Sequence, residues 1–237
     1  MQLSRNSQEW LQWMLVTSVP LRHLDETGNP IGIASGCLAV SNGRKFLLSV
    51  RHAVRPDSKG WAIELDYDRR RHGTEMYWPK TFLYMAEIYI DFCFAEVVAD
   101  LQPIYANRTP YSTSDVRPRH IFQIEDFAEP TQAGVFAFSG QVKPERHGTE
   151  AMATEMNVYP GLRFLRSEGP NHVFQLPVEH PGHESFKGCS GAPIVDMDRR
   201  VVALVSSGDK DAGTVTGVAI SRAVIALNRY CNVHRAA

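Results

Sequence analysis

The stretch Phe186–Lys187–Gly188–Cys189–Ser190–Gly191–Ala192–Pro193, followed by the apolar pair Ile194–Val195, decides how the rest of the chain is read. A serine between two glycines, closed by a proline and then a strand, describes a tight turn that lifts one hydroxyl clear of the backbone. Glycine there supplies dihedrals that a side chain forbids and lets a substrate come close to the main chain. In such a turn the amides of Gly188 and Ser190 can aim at one point, where the negative oxygen of a tetrahedral intermediate would sit. The same residues also describe a surface hairpin holding a serine, and the turn by itself leaves both open.

The 237 residues suit one large domain or two lobes of about 100 residues each. With 43% hydrophobic and 22% charged residues and a formal charge of −1, the chain can bury a substantial core and gives no electrostatic reason to bind nucleic acid. Cys37, Cys93, Cys189 and Cys231 are widely spaced and form no CxxC pair. That pattern disfavours a zinc knuckle or a disulfide framework and fits a reducing, cytoplasmic setting. His180 and His183 read as plain loop residues, so no metal site is expected, and Arg69–Arg70–Arg71 reads as a solvated hairpin tip. The run Trp10–Val16 is too short to cross a bilayer and lacks the flanks of an export signal, so no membrane association is expected. Its spacing predicts a short amphipathic helix from Ser7 to Val16, with Trp10, Leu11, Met14 and Leu15 packing on the body.

From Pro20 onward short apolar runs alternate with turn residues, the signature of an all-β sandwich or barrel. Gly36–Val40 and Lys45–Val50 flank Ser41–Asn42–Gly43–Arg44, which predicts a hairpin with an Asn-Gly corner. Trp61–Leu65 and Glu87–Val97 continue the strands, with Asp91 in the middle of the second run. A Pro-, Ser-, Thr- and Asp-rich stretch from Leu101 to Arg119 is the best candidate for a connection between lobes. Gly134–Gly140, Leu162–Leu165, His172–Leu176, Val201–Val205 and Gly217–Ile220 repeat the pattern. Ser221 then reads as the N-cap of a helix reaching Val233, with Val224, Leu227 and Cys231 buried. The expected organisation is a helical segment over 1–19, a first barrel over 20–110, a second over 111–220 and a helix over 221–237, together one domain.

His52, in Ser49–Val50–Arg51–His52–Ala53–Val54, follows an apolar strand and is surrounded by small residues that would let its imidazole reach a cleft. Histidine is the usual general base near neutral pH, although any one of nine histidines taken alone reads as a surface or structural residue. Asp91 lies among Tyr89–Ile90 and Phe92–Cys93–Phe94, where burying an acid without a partner is costly. An imidazole N–H would satisfy it and hold the useful tautomer. Asp66, Asp68 and Asp100 stand in more polar surroundings and read as solvated turn residues.

The ordered motifs around His52, Asp91 and Ser190 resemble those of the trypsin-like, chymotrypsin-fold serine peptidases. They are most similar to the short, disulfide-free bacterial type, with Gly32–Ile33–Ala34–Ser35–Gly36–Cys37–Leu38 resembling its glycine-rich first hairpin. The resemblance implies two perpendicular six-stranded β-barrels, His52 and Asp91 on the first and Ser190 on the second, with peptide-bond hydrolysis in the cleft between them. It further implies that Ser190 is the nucleophile, His52 the base and Asp91 its orienting acid. By the same resemblance the amides of Gly188 and Ser190 would form the oxyanion hole, and no cofactor or metal is expected. Glu184, six residues before Ser190, falls by resemblance at the base of the primary pocket, where an acid favours Arg or Lys; Ser206–Ser207–Gly208 and Gly217 fall on its walls. Read on its own, Glu184 lies in a polar loop and is equally a solvated carboxylate.

The chain departs from the family at Cys189, where many members carry an aspartate, so activation by a new N-terminus pairing with that acid is not expected. The partners expected are a protein or peptide substrate and a regulatory protein. The competing reading is a catalytically inactive binding module on the same fold, against which stands the presence of all three chemical groups. An esterase of the nucleophile-elbow type is disfavoured, because those enzymes place serine first in the chain and histidine last.

Overall fold

The computed structural model describes residues 5–55, 59–68, 73–85, 89–98, 104–109, 112–148, 151–180, 182 and 186–234. Helix α1 (Arg5–Thr17) opens the chain, and its apolar face does what the spacing predicts: Trp10 and Met14 are buried, with Leu11 and Trp13 packed alongside. The Trp10 indole N–H donates to the Asp196 carbonyl at 3.0 Å, and the Ser139 hydroxyl donates to the Met14 carbonyl at 2.6 Å. The helix is therefore fastened to the second half of the chain. Among the described residues no helix is long and apolar enough to cross a membrane.

The first lobe is built on β1 (Val19–Leu24), β2 (Pro30–Ser41) and β3 (Arg44–Ser49). One half of the long β2 pairs with β1, placing Gly36 opposite Val19, and the other half pairs with β3, placing Cys37 opposite Leu48. The β2–β3 corner is the expected Asn-Gly turn: Asn42 has φ 50° and Gly43 φ 74°, both in the left-handed region that a tight two-residue hairpin requires. After a one-turn helix α2 (Arg51–Val54) come β4 (Trp61–Asp68), β5 (Gly73–Tyr77), β6 (Leu83–Tyr84) and β7 (Cys93–Val97). The sheet runs β5-β4-β1-β2-β3-β7-β6, and a later strand, β10 (Ile121–Gln123), joins it parallel to β2, making eight strands.

One expectation changes here, and another gains detail. Residues 86–88, part of the expected strand from Glu87, lie outside the described residues, as does the basic run 69–72, while Tyr89 and Ile90 belong to no strand and lead directly into Asp91. The stretch from Leu101 to Arg119 contains β8 (Ile104–Thr109) and β9 (Ser112–Pro118), paired with each other as a separate two-stranded sheet.

The second lobe is a closed barrel of six strands: β11 (Phe136–His147), β12 (Ala151–Glu168), β13 (Asn171–Gln175), β14 (Pro193–Asp196), β15 (Val201–Asp209) and β16 (Thr214–Ala219), joined in the order β11-β12-β13-β16-β15-β14. Its interior is apolar and aromatic, with Phe136, Phe138, Phe174, Leu162, Ile194 and Val202 buried together. Helix α3 (Ile220–Val233) follows β16 without a break. Its N-cap position is Ala219, with no side-chain cap bond, so Ser221 lies inside the first turn and does not cap it. The reason is packing. Ile220, Ala223, Leu227 and Cys231 form the buried stripe, the small alanine allows close approach to the body, and Val224 is rotated to a half-buried position.

A third apolar cluster joins these parts. Trp10 and Met14 of α1, Phe46 and Leu48 of β3, Ala137 and Val195 of the barrel, and Ile220 and Leu227 of α3 are buried in one cluster. A buried arginine adds a polar tie. Arg22 on β1 pairs with Glu64 on β4 at 2.6 Å and donates across to the Gln141 side chain at 3.0 Å and the Thr154 hydroxyl at 3.0 Å. The last two of these bonds run from the first lobe to β11 and β12 of the second.

Candidate active site

His52 is placed by α2. Strand β3 ends at Ser49, Val50 is extended as N-cap, and the single turn is closed when Arg55, at φ 44°, donates its amide to the Arg51 carbonyl at 2.8 Å. Asp91 comes from the segment just before β7, pinned between the buried Ile90 and Phe92. The two meet twice: the His52 backbone amide donates to Asp91 Oδ1 at 2.8 Å, and His52 Nδ1 lies 2.6 Å from Asp91 Oδ2. Burial pushes the Asp91 carboxyl up, but the bonds from the His52 ring, the Ser206 hydroxyl and the His52 amide outweigh it and hold the group below its ordinary value. An ionised Asp91 keeps the imidazole proton on Nδ1 and turns the lone pair of Nε2 outward. That nitrogen lies 3.2 Å from Ser190 Oγ, which crosses from the other lobe.

The turn carrying Ser190 is fixed bond by bond. The Cys189 amide donates to the Phe186 carbonyl at 2.9 Å, Gly191 to Val205 at 2.7 Å and Ala192 to Cys189 at 2.9 Å. Among the described residues the two remaining amides, those of Gly188 and Ser190, donate to no protein acceptor, and both residues line the cleft beside the hydroxyl. Gly188 at φ 97° and Gly191 at φ 90° occupy conformations a side chain would strain, and a Cβ at either would strike the first lobe: Ile33 in one case, the Ser35 carbonyl in the other. Cys189 is wholly buried, its thiol directed at the Gln141 carbonyl and its pKa pushed up by burial. It fills space behind the turn.

A cavity of about 350 Å³ opens beside the serine. Phe138, Phe186, Val205 and Val215 give it apolar walls, and Ser206, Ser207 and Gly208 also line it. Of the sequence-predicted pocket residues, Ser206 and Gly208 are there and Gly217 is not. Gly217 faces the barrel interior, where a Cβ would meet Ala203 and Ile194, and Val215, two residues earlier, takes the wall. The space left by Gly208 is filled by the His180 ring, which also meets Phe186 edge-on at 4.6 Å. Glu184 lies outside the described residues.

Ser206 holds a contact that sequence reasoning missed. Beyond lining the cavity, its hydroxyl donates to Asp91 Oδ2 at 2.6 Å. A serine inside an apolar strand of the second lobe is the only trace of this in the sequence. Its partner lies 115 residues away, so only the assembled lobes reveal it.

No protein-family model and no curated protein matches the chain. Solved structures do. A mutant of human heparin binding protein superposes with a TM-score of 0.58 at 13% identity, covering 90% of each chain. A serine endoprotease from Yersinia pestis gives 0.57 at 12% identity over 97% of this chain and 67% of its own. A protease from M. tuberculosis in its active form gives 0.52 at 13% identity over 89% and 79%. The fold is chymotrypsin-like. Because one of these structures is named for binding heparin and two for proteolysis, any activity must be argued from the side chains in the cleft.

Proposed function

We propose that this protein is a serine endopeptidase. The observation that carries the reading is the single imidazole of His52 bridging Asp91 at 2.6 Å and the Ser190 hydroxyl at 3.2 Å across the lobe boundary. In this reading Ser190 Oγ attacks a peptide carbonyl while His52 Nε2 accepts its proton. Asp91 stabilises the imidazolium, and the amides of Gly188 and Ser190 take up the negative charge on the carbonyl oxygen. The imidazolium then protonates the departing amine, and a water repeats the sequence on the acyl-enzyme. No step calls for a metal or an organic cofactor.

The substrate is a protein or peptide with its side chain before the cut lodged in the cavity beside Ser190. Apolar walls suit a hydrocarbon side chain or the methylene stem of Arg or Lys. A basic preference then rests on Glu184 closing the base, and replacing Glu184 by Gln should shift a peptide library away from Arg and Lys. A library indifferent to basic residues from the outset removes that assignment.

The decisive experiment is labelling of the purified protein by a serine-directed phosphonate, beside Ser190→Ala and His52→Ala. Labelling that disappears in both variants is expected. A wild-type protein that turns over no peptide and takes no label supports the competing reading of a binding module on the same fold.

A further inference from the structure

Ser35 sits on β2 in the first lobe, wholly buried, and reaches three points of the Gly188–Gly191 turn on the second. Its amide donates to the Ser190 carbonyl at 2.9 Å, and its hydroxyl donates to the Gly188 carbonyl at 2.7 Å. Its own carbonyl lies where only a glycine at 191 can pass, and accepts from the Ser49 hydroxyl at 2.8 Å. The Ser35 hydroxyl in turn accepts from the Gln141 amide at 3.4 Å.

Backbone bonds alone would join a strand to a turn, so the hydroxyl needs its own explanation. It holds the carbonyl of Gly188, which lines the cleft beside Ser190 at φ 97°. Glycine moves readily between mirror-image conformations. The Gly188 N–H belongs to the Lys187–Gly188 peptide, which turns about the Gly188 Cα. The Ser35 bond to the Gly188 carbonyl and the Cys189 amide's bond to Phe186 pin the following peptide and so hold that Cα, the pivot of the N–H, in place. We propose that the Ser35 hydroxyl is a positioning group that presets the Gly188 amide as an oxyanion donor, so that one lobe supplies the preorganisation of a site carried by the other. This rests on the peptidase reading above. It adds a residue that touches neither substrate nor His52.

The test uses the full chain with Ser35→Ala and Ser35→Thr, reading turnover of a peptide, affinity for a peptidyl boronic acid and the amide N–H resonances of Gly188 and Ser190. Losing an oxyanion donor outright costs about 10²- to 10³-fold in turnover, so loosening one through Ser35→Ala should lower kcat by about 10- to 100-fold. KM should change by less than about threefold, because the lost interaction is made only in the transition state. Boronate affinity should fall in step with kcat, the two amide resonances should shift or broaden, and Ser35→Thr should recover most of the loss. Should the alanine variant fail to fold, Ser35→Cys, with a weaker donor of similar size, takes the same measurements. A kcat near wild type, a kcat loss without a matching boronate loss, or unmoved Gly188 and Ser190 resonances overturns the proposal. If the wild type shows no turnover at all the peptidase reading falls, and the resonances still decide whether Ser35 sets the turn.

Discussion

The two lobes solve different problems. The second is a barrel closed by hydrogen bonds around its own core of Phe136, Phe138, Phe174 and Ile194, and it carries the Gly188–Gly191 turn. The first lobe divides its apolar residues between an inner cluster around Leu21, Leu47, Ile63 and Ala95 and the shared cluster to which Phe46, Leu48 and Phe94 belong. Its second face is therefore finished only by the helices and the other lobe. It presents the His52–Asp91 pair, which tolerates small rotations because a carboxylate accepts from several directions. In the peptidase reading proposed above, the closed lobe would hold the carbonyl's geometry and the dependent lobe the proton chemistry.

Glycines offer the sharpest way to break this contrast, because both lobes place glycines at positive φ. At Gly191 a Cβ would run into the Ser35 carbonyl and the Ser49 hydroxyl, whereas at Gly43 nothing lies within 4 Å. Gly191→Ala should cost about 3 kcal/mol or more of unfolding free energy, from backbone strain plus overpacking, and should abolish turnover. Gly43→Ala bears only the backbone term, about 1 kcal/mol, with kcat unchanged. Urea unfolding and peptide turnover on both variants check this. Equal losses would mean that the serine turn is no more constrained than an exposed hairpin corner.

The dependence of the first lobe on the second is tested at Arg22, buried where it joins Glu64 to Gln141 and Thr154. Removing one partner of a buried pair strands the other charge, so Arg22→Ala should lose about 3 kcal/mol. Glu64→Gln added to it should restore part of that loss. In a calorimetric scan the variant is expected to separate the unfolding of the lobes. A single transition with an unchanged midpoint would show that the apolar cluster alone holds the lobes together.

How much of this was legible beforehand follows the range of each interaction. The Asn42–Gly43 corner, helix α1 and the barrel strands are local patterns, and all were readable. The proximity of His52, Asp91 and Ser190 followed from motif order and resemblance, since spacing of 39 and 138 residues carries no geometry. What stayed hidden is what the tertiary fold alone supplies. Ser206 reads as one more strand serine until Asp91 is seen beside it. Gly217 resembles a pocket wall because alternation along β16 does not reveal how deep in the barrel each inward residue lies. Ser221 looks like a cap by residue type, yet β16 runs straight into α3 because burying Ile220 is worth more than a capping bond.

The smallest expected effect concerns how the outer edge of the first lobe is held. Glu96 on β7 accepts from Arg44 at 2.6 Å, from Lys80 at 2.6 Å and from the Tyr230 hydroxyl at 3.5 Å, tying β7 to the end of β3 and to α3. The Arg44 bond first, then that from Lys80, outweighs the cost of burial and draws the Glu96 pKa from 4.5 down to about 2. A carboxyl whose folded pKa is depressed binds protons more readily when unfolded, so its stabilisation is complete above about pH 5 and drains away as the pH falls toward 2. Lys80 and Arg44 remain partly in water, which screens the pairs, so Glu96→Gln should cost about 1 kcal/mol at pH 6. Urea unfolding of wild type and variant at pH 6, 4 and 2.5 should show that gap closing with acid. A gap of constant size would place the value of Glu96 in its packing and not its charge, and the first lobe would then be braced on this edge by Tyr230 and the aromatic contacts of Phe46 and Phe94 alone.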